Sequence, residues 1–172
     1  MAFYQSGSLM PFGAPVLRSE IITNSVVSVV NDSVKFASGF VALGTAGANV
    51  LGHIAAHVTD KGVGLNTSGA SGAAIGSYVG TYTAASDNQT VAKVRAVVDI
   101  SKFTLYSAEV DATLATTTGS NLAGYRMDLI DEDTLDESSA VTTTAQYNSW
   151  GVDPLESDRV IVNIYESQVF GV

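Results

Sequence analysis

Residues 160–165 read VIVNIY, and this stretch decides the fold. Val160, Val162 and Ile164 fall on one face of an extended chain, and Ile161, Asn163 and Tyr165 on the other. An apolar face of period two predicts a strand with one side in a core. The stretch TVAKVRAVVD (Thr90–Asp99) alternates in the same way, with Val94, Ala96 and Val98 opposite Lys93, Arg95 and Val97. Shorter β-branched or aromatic clusters recur at Ile21–Ile22, Val26–Val30, Val34–Phe36, Phe40–Leu43, Val50–Val58, Ile75–Tyr82, Phe103–Ser107 and Leu122–Ile130. Turn residues such as Ser38–Gly39 separate them. No window of helical length holds a 3.6-residue period, and Gly52 counts against a helix over Asn49–Val58. The expected fold is all-β: a β-sandwich or barrel-like domain of about eight short strands, mostly antiparallel between neighbours.

The organisation expected is an extended N-terminal arm over residues 1–16 and a β-rich domain over 17–172, with room for a subdivision near residue 100. The arm carries Phe3, Tyr4, Met10 and Phe12 with hardly any charge, and Pro11 and Pro15 interrupt it. Apolar side chains in an irregular terminus need a surface, so these four are the candidate interface residues. The segment 61–80, with its six glycines, reads as a loop. Asp131–Gln146, acidic and then rich in Ser and Thr, reads as a second.

Composition narrows the function. Charged residues make up only 15% of the 172, hydrophobic ones 46%, and there is no cysteine. Absence of Cys excludes disulfide scaffolds, thiolate metal sites and cysteine nucleophiles, and suits a reducing cytosol as the place of synthesis. The net charge of −9 is polarised. Seven basic and seven acidic residues balance from Met1 to Met127, and ten acidic residues face only Arg159 after that. Such a pole repels phosphate backbones, so no nucleic-acid partner is expected. No run approaches the ~20 apolar residues of a membrane helix, and the first residues lack the pattern of a signal peptide.

The constellations that could carry chemistry fail in detail. His53 and His57 have the spacing of a helical metal pair, but on a strand they stand about 13 Å apart, and they read as buried or interface histidines. Asp131, Glu132, Asp133, Asp136 and Glu137 lack the ligand spacing of a calcium loop, with Leu135 at the fifth position. Gly69, Gly72 and Gly76 form neither a dinucleotide nor a phosphate loop, and no G-x-S-x-G elbow is present. No catalytic, cofactor-binding or metal-ligating residue is expected, and the chain reads as a non-enzyme. Trp150 with Tyr147, and Tyr78 with Tyr82, are aromatic pairs able to stack on sugars, which gives an alternative reading as a carbohydrate-binding β-sandwich.

The stretch VKFASGFVALGTAGANVLGHIAAHVTDKGVGL (34–65) runs strand, small-residue turn, strand. TLYSAEVDATLATTTGSNLAGYRMDLI (104–130) leads through an acidic loop to QYNSWGVDPLESDRVIVNIYESQVF (146–170). These segments resemble the auxiliary capsid proteins of tailed bacteriophages, the decoration or cement proteins. The resemblance implies a β-rich virion structural protein, made in the host cytoplasm. It further implies a protein, often trimeric, that sits on the major capsid protein at the outer capsid surface and stabilises the shell without cofactors. Another phage component (a head-fibre base, a tail-tube protein or the shell protein) is the nearest alternative.

Overall fold

A computed structural model of the chain describes residues 3–8, 16–59, 82–91, 94–111, 122–141, 146–156 and 158–165. The fold is all-β and falls into two strand systems that follow one another along the chain. The first is a five-stranded sheet of β2 (Leu17–Ile21), β4 (Ser33–Ala37), β5 (Phe40–Leu43), β6 (Gly52–Thr59) and β8 (Val94–Asp99). Its order is β2-β8-β6-β4-β5, and a bridge between Ile22 and Val41 brings the two outer strands back together. The β4–β5 hairpin turns through Ser38 and Gly39 at φ 51° and 85°. Two successive left-handed residues make the tight turn that matches strand twist, and Gly39 adopts its angle without steric cost. Val34, Val41, Ile54, Ala96 and Val98 lie together in its hydrophobic core. The ribbon of β3 (Val27–Ser28) and β7 (Tyr82–Thr83) and a short turn of helix, α1 (Asn88–Val91), accompany this sheet.

The second system is a small closed barrel of β9 (Thr104–Val110), β10 (Arg126–Leu129), β11 (Thr134–Val141), β12 (Tyr147–Val152) and β13 (Arg159–Ile164). Pairing runs β9-β11-β10-β12-β13 and back to β9, with β9–β11 the parallel pair. The period-two reading of residues 160–165 is met directly: Val160, Val162 and Ile164 are fully buried in the barrel with Met127, Leu129, Leu135 and Tyr147. Closure removes the exposed edges that an open sheet of this size would present.

The structure departs from the sequence reading in three places. Residues 3–8, within the stretch expected as an irregular arm, form strand β1 (Phe3–Ser8), which pairs antiparallel with β9. Phe3 stands opposite Ala108 and Tyr4 opposite Ser107; Met10 and Phe12 lie outside the described residues. A strand needs only a neighbour with free backbone groups, and β9 offers its flank beside the short run that β11 takes. The acidic stretch expected as a loop contains β11, because Leu135 can enter the barrel core while Thr134 and Asp136 point outward. The alternating run at 90–99 begins as strand only at Val94. Asn88, fully buried, holds the preceding turn by bonding both the N–H and the carbonyl of Val94.

The barrel assignment has a direct test. Val162→Asp puts an unpaired carboxyl where no water reaches, and we expect chemical denaturation to show a loss of roughly 4 kcal/mol or failure to fold. An unchanged denaturation midpoint would contradict the position of β13.

Candidate functional site

Among the described residues, a group of buried polar side chains lies where the sheet meets the barrel. Asp99 ends β8 and is 5% exposed. One carboxylate oxygen accepts from Thr104 Oγ1 at 2.8 Å and Tyr106 Oη at 3.0 Å, and the other from the Ser101 N–H at 2.9 Å. The chain leaves the sheet at Asp99 and enters the barrel at Thr104, so this carboxylate fastens the crossing point. Opposite it on β6 stands His53. Its Nδ1 lies 3.0 Å from the Asn31 carbonyl, which can only accept, so Nδ1 carries the proton. Nε2 then accepts from the Tyr147 hydroxyl at 3.0 Å, and Tyr147 in turn accepts from Ser33 Oγ at 2.8 Å. The imidazole also rests on the Tyr106 ring, centroid to centroid 4.0 Å.

Gly52 makes this approach possible. A Cβ there would stand 2.1 Å from the Asp99 carbonyl oxygen. Three further bonds cross the junction. Gln146 donates to the carbonyls of Thr45 and Ala48 while accepting from Leu129 N–H, and Ser33 N–H donates to the Glu132 carbonyl.

Burial sets the protonation of these groups. His53 is pushed down to about 4, mainly by loss of water, so its imidazole is neutral near pH 7. Burial raises the Tyr147 hydroxyl, and burial together with the Asp99 charge raises that of Tyr106, so both remain donors. A cavity of about 200 Å³ opens beside this network, lined by Leu17, Asn31, Ile54 and Ala55 with His53, Asp99 and Tyr106. The polar side chains of its wall already hold partners within the protein. The arrangement therefore fixes two β systems relative to each other, and the carboxylate on the cavity wall, Asp99, is held by three donors of the protein itself.

His57 does not join His53. The β6–β8 register shifts between Ile54 and Ala56. This bulge turns His53 toward the barrel, across from Asp99, and His57 toward the sheet core, across from Ala96. There His57 Nε2 bonds Ser28 Oγ at 2.9 Å beside the Tyr82 ring. This Ser–His pair is sealed, at 1% and 2% exposure, and burial lowers His57 to about 4. Among the described residues, no group of three or more His, Asp or Glu could hold a metal ion. Of the acidic run, Asp131 and Asp133 lie in the turn before β11, and Asp136 bonds the N–H and hydroxyl of Ser138. Of the aromatic pairs, Tyr147 is a core residue, Tyr82 is half-buried, and Trp150 is 54% exposed; Tyr78 lies outside the described residues.

Sequence reasoning missed Asp99, Tyr106, Tyr147 and Ser33 as a unit. They are 114 residues apart at the extremes of the Ser33–Tyr147 bond, and no spacing rule links them. Arg159 was visible as the one cation of the acidic quarter. Its guanidinium bonds Ser107 through Nε and Nη2 at 3.0 and 2.8 Å, and lies near Glu109 and Glu156 at 3.8 and 3.6 Å. No protein-family model, curated protein or solved structure matches the chain.

The junction contains one carboxyl poised to titrate. Asp32 is raised to about 7, chiefly by burial and further by Glu132 and Asp133, against the pull of the Val29 N–H at 2.7 Å. Between its ordinary value of 3.8 and about 7 the folded protein holds a proton that the unfolded chain has released. Stability from this group therefore falls as pH rises through that window. The lowered values of His53 and His57 act in the opposite direction, with stability rising from about pH 4 to about 6.5. The difference between Asp32→Asn and wild type isolates the carboxyl. We expect the variant to be about 2 kcal/mol more stable relative to wild type at pH 8 than at pH 4. Parallel stability–pH curves from urea denaturation would show that Asp32 is not desolvated in the fold.

Proposed function

We propose that the chain is a non-enzymatic virion structural protein, a decoration protein that binds the outer capsid surface of a tailed bacteriophage and stabilises the shell. The observation that carries this reading is a locked β body that leaves large apolar side chains in water. Val16 and Leu17, at the start of β2, are 56% and 53% exposed, and Val27 on β3 is 51% exposed. Exposed apolar area on a rigid protein favours being covered, here by the major capsid protein or by further copies in a homotrimer. The polar groups of the interior support the same reading, since they are spent on joining the two β systems. The segments that resemble decoration proteins supply the identity of the partner.

The physical role needs no chemistry. A subunit that binds the assembled shell and not its separated parts stabilises the assembly by mass action, and many copies make a small term visible. Saturating protein at about a hundred times Kd contributes about 2.7 kcal/mol per site. We therefore expect undecorated particles to release DNA at a higher temperature once the protein is added, followed by dye fluorescence. Leu17→Glu should reduce that shift while the isolated protein keeps its melting temperature. Identical release curves with and without saturating wild-type protein would remove the cement function.

A further inference from the structure

Among the described residues, the large apolar side chain most open to water is Leu155, at 88% exposure. It lies in the connection between β12 and β13, and that connection is held firmly. Pro154, just before it, has its φ fixed by its ring. The Leu155 N–H donates to Asp153 Oδ1 at 2.9 Å, and the buried Asp153 accepts from Ser107 Oγ through Oδ2 at 2.6 Å. The Asp153 N–H donates to the Arg159 carbonyl at 2.8 Å, and the Arg159 N–H to the Glu156 carbonyl at 3.0 Å, so the turn is fastened on both sides of the leucine. A side chain presented on an ordered turn loses little further freedom when something covers it.

The cavity of about 200 Å³ at the sheet–barrel junction is large enough to take such a side chain. A cavity of about 150 Å³ holds a benzene ring, and the leucine side chain has four carbons to its six. Leu17, Ile54 and Ala55 form the apolar part of the wall, and Leu17 brings it to the surface beside the exposed Val16. His53, Asp99 and Tyr106 form the polar part, and their bonds are made within the protein. A polar ligand has to take donors or acceptors from that network, whereas an apolar side chain leaves every bond in place. Turn and cavity also lie on different faces of β9. Tyr106 lines the cavity, and Ser107, the next residue, holds Asp153 on the other side.

We propose that Leu155 of one copy enters the junction cavity of a second copy of this chain, in a head-to-tail contact. The chain carries both halves of the contact, and their placement on different faces of β9 leaves each half to another molecule. Charge selects this contact over a symmetric one. Two turns meeting across a two-fold axis would set Glu156 and Asp158 against their own counterparts, and like charges so placed disfavour the pair. Entry into the cavity sets them instead against the first 127 residues, where seven basic and seven acidic residues balance. A repeated head-to-tail contact closes into a ring when its rotation allows. The contact is a property of the isolated chain and does not rest on the capsid reading.

Sedimentation velocity of the full chain, without particles, from roughly 1 µM to 1 mM measures the association. We expect the wild type to pass from monomer to oligomer as concentration rises. Leu155→Ala should weaken association about tenfold and Leu155→Glu should abolish it, both with the circular dichroism of the wild type. Ala55→Leu fills the cavity and should abolish it as well. Mixing Leu155→Glu with Ala55→Leu decides the geometry. One keeps an open cavity and the other keeps the leucine, so together they should form a one-to-one complex that grows no further. The chain has no cysteine, so Leu155→Cys and Leu17→Cys supply the same comparison if Ala55→Leu does not fold. Oxidation of that mixture should join position 155 to position 17 in preference to 155 to 155. A wild type that stays monomeric throughout overturns the proposal, as does a Leu155→Glu chain that associates like the wild type. Folded variants that remain apart when mixed, or cysteines that join 155 to 155 in preference, overturn the head-to-tail insertion. Each of these failures leaves the heat protection of particles, which tests the capsid reading, unaffected.

Discussion

The hydrogen bond from Tyr147 to His53 is the contact on which the rest of the arrangement depends. It joins the inside of the barrel to the central region of the sheet, and both groups are inaccessible to water. A buried tyrosine hydroxyl without an acceptor, or a buried imidazole without a donor, costs about 1–3 kcal/mol. Satisfying both requires the sheet and the barrel to sit in one relative position. Apolar packing alone would allow sliding, because it depends on area and not on direction. The polar chain from Asn31 through His53 and Tyr147 to Ser33 supplies the direction.

The groups in this junction work because they are neutral, with one exception that is compensated. His53 carries no charge near pH 7, and the tyrosines remain protonated. Asp99 is the charged member, and three donors surround it. A carboxylate so bonded recovers much of the hydration it loses. Asp32 and its acidic neighbours lack that compensation in full, so burial leaves Asp32 close to its titration point near neutral pH. The junction is strongest where donors outnumber charges and weakest where carboxyls face one another.

This construction bears on what the protein does. The polar atoms of the sheet–barrel junction are committed to holding the body in one shape, and the outer surface is left to meet other molecules. Val16 and Leu17 present apolar area at the start of the sheet, and Trp150 presents a single oriented ring on the barrel. A rigid body with separate surface features suits a protein that adds to an assembly, where binding loses less entropy if nothing has to be ordered first. Within the acidic last quarter, Arg159 is drawn inward against Ser107, with the carboxylates of Glu109 and Glu156 beside it.

The sequence by itself determined the all-β class and the inward face of β13, because alternation at 160–165 is a local property with a local physical cause. It also determined the Ser38–Gly39 hairpin turn, since two left-handed residues in succession favour glycine. The strand at β11 escaped notice because one leucine among acids and hydroxyls is a weak period, and the barrel around Leu135 supplies the rest. Strand β1 escaped because pairing uses backbone groups that every residue has. The site was still less legible. His53 and His57 were conspicuous as a pair, yet a one-residue bulge in β6 sends them to opposite faces. Asp99, Tyr106, Tyr147 and Ser33 form one network only because a sheet and a barrel meet there. Sequence spacing governs what a single element can bring together; contacts between elements follow from how their apolar faces close, and that was decided by the tertiary structure.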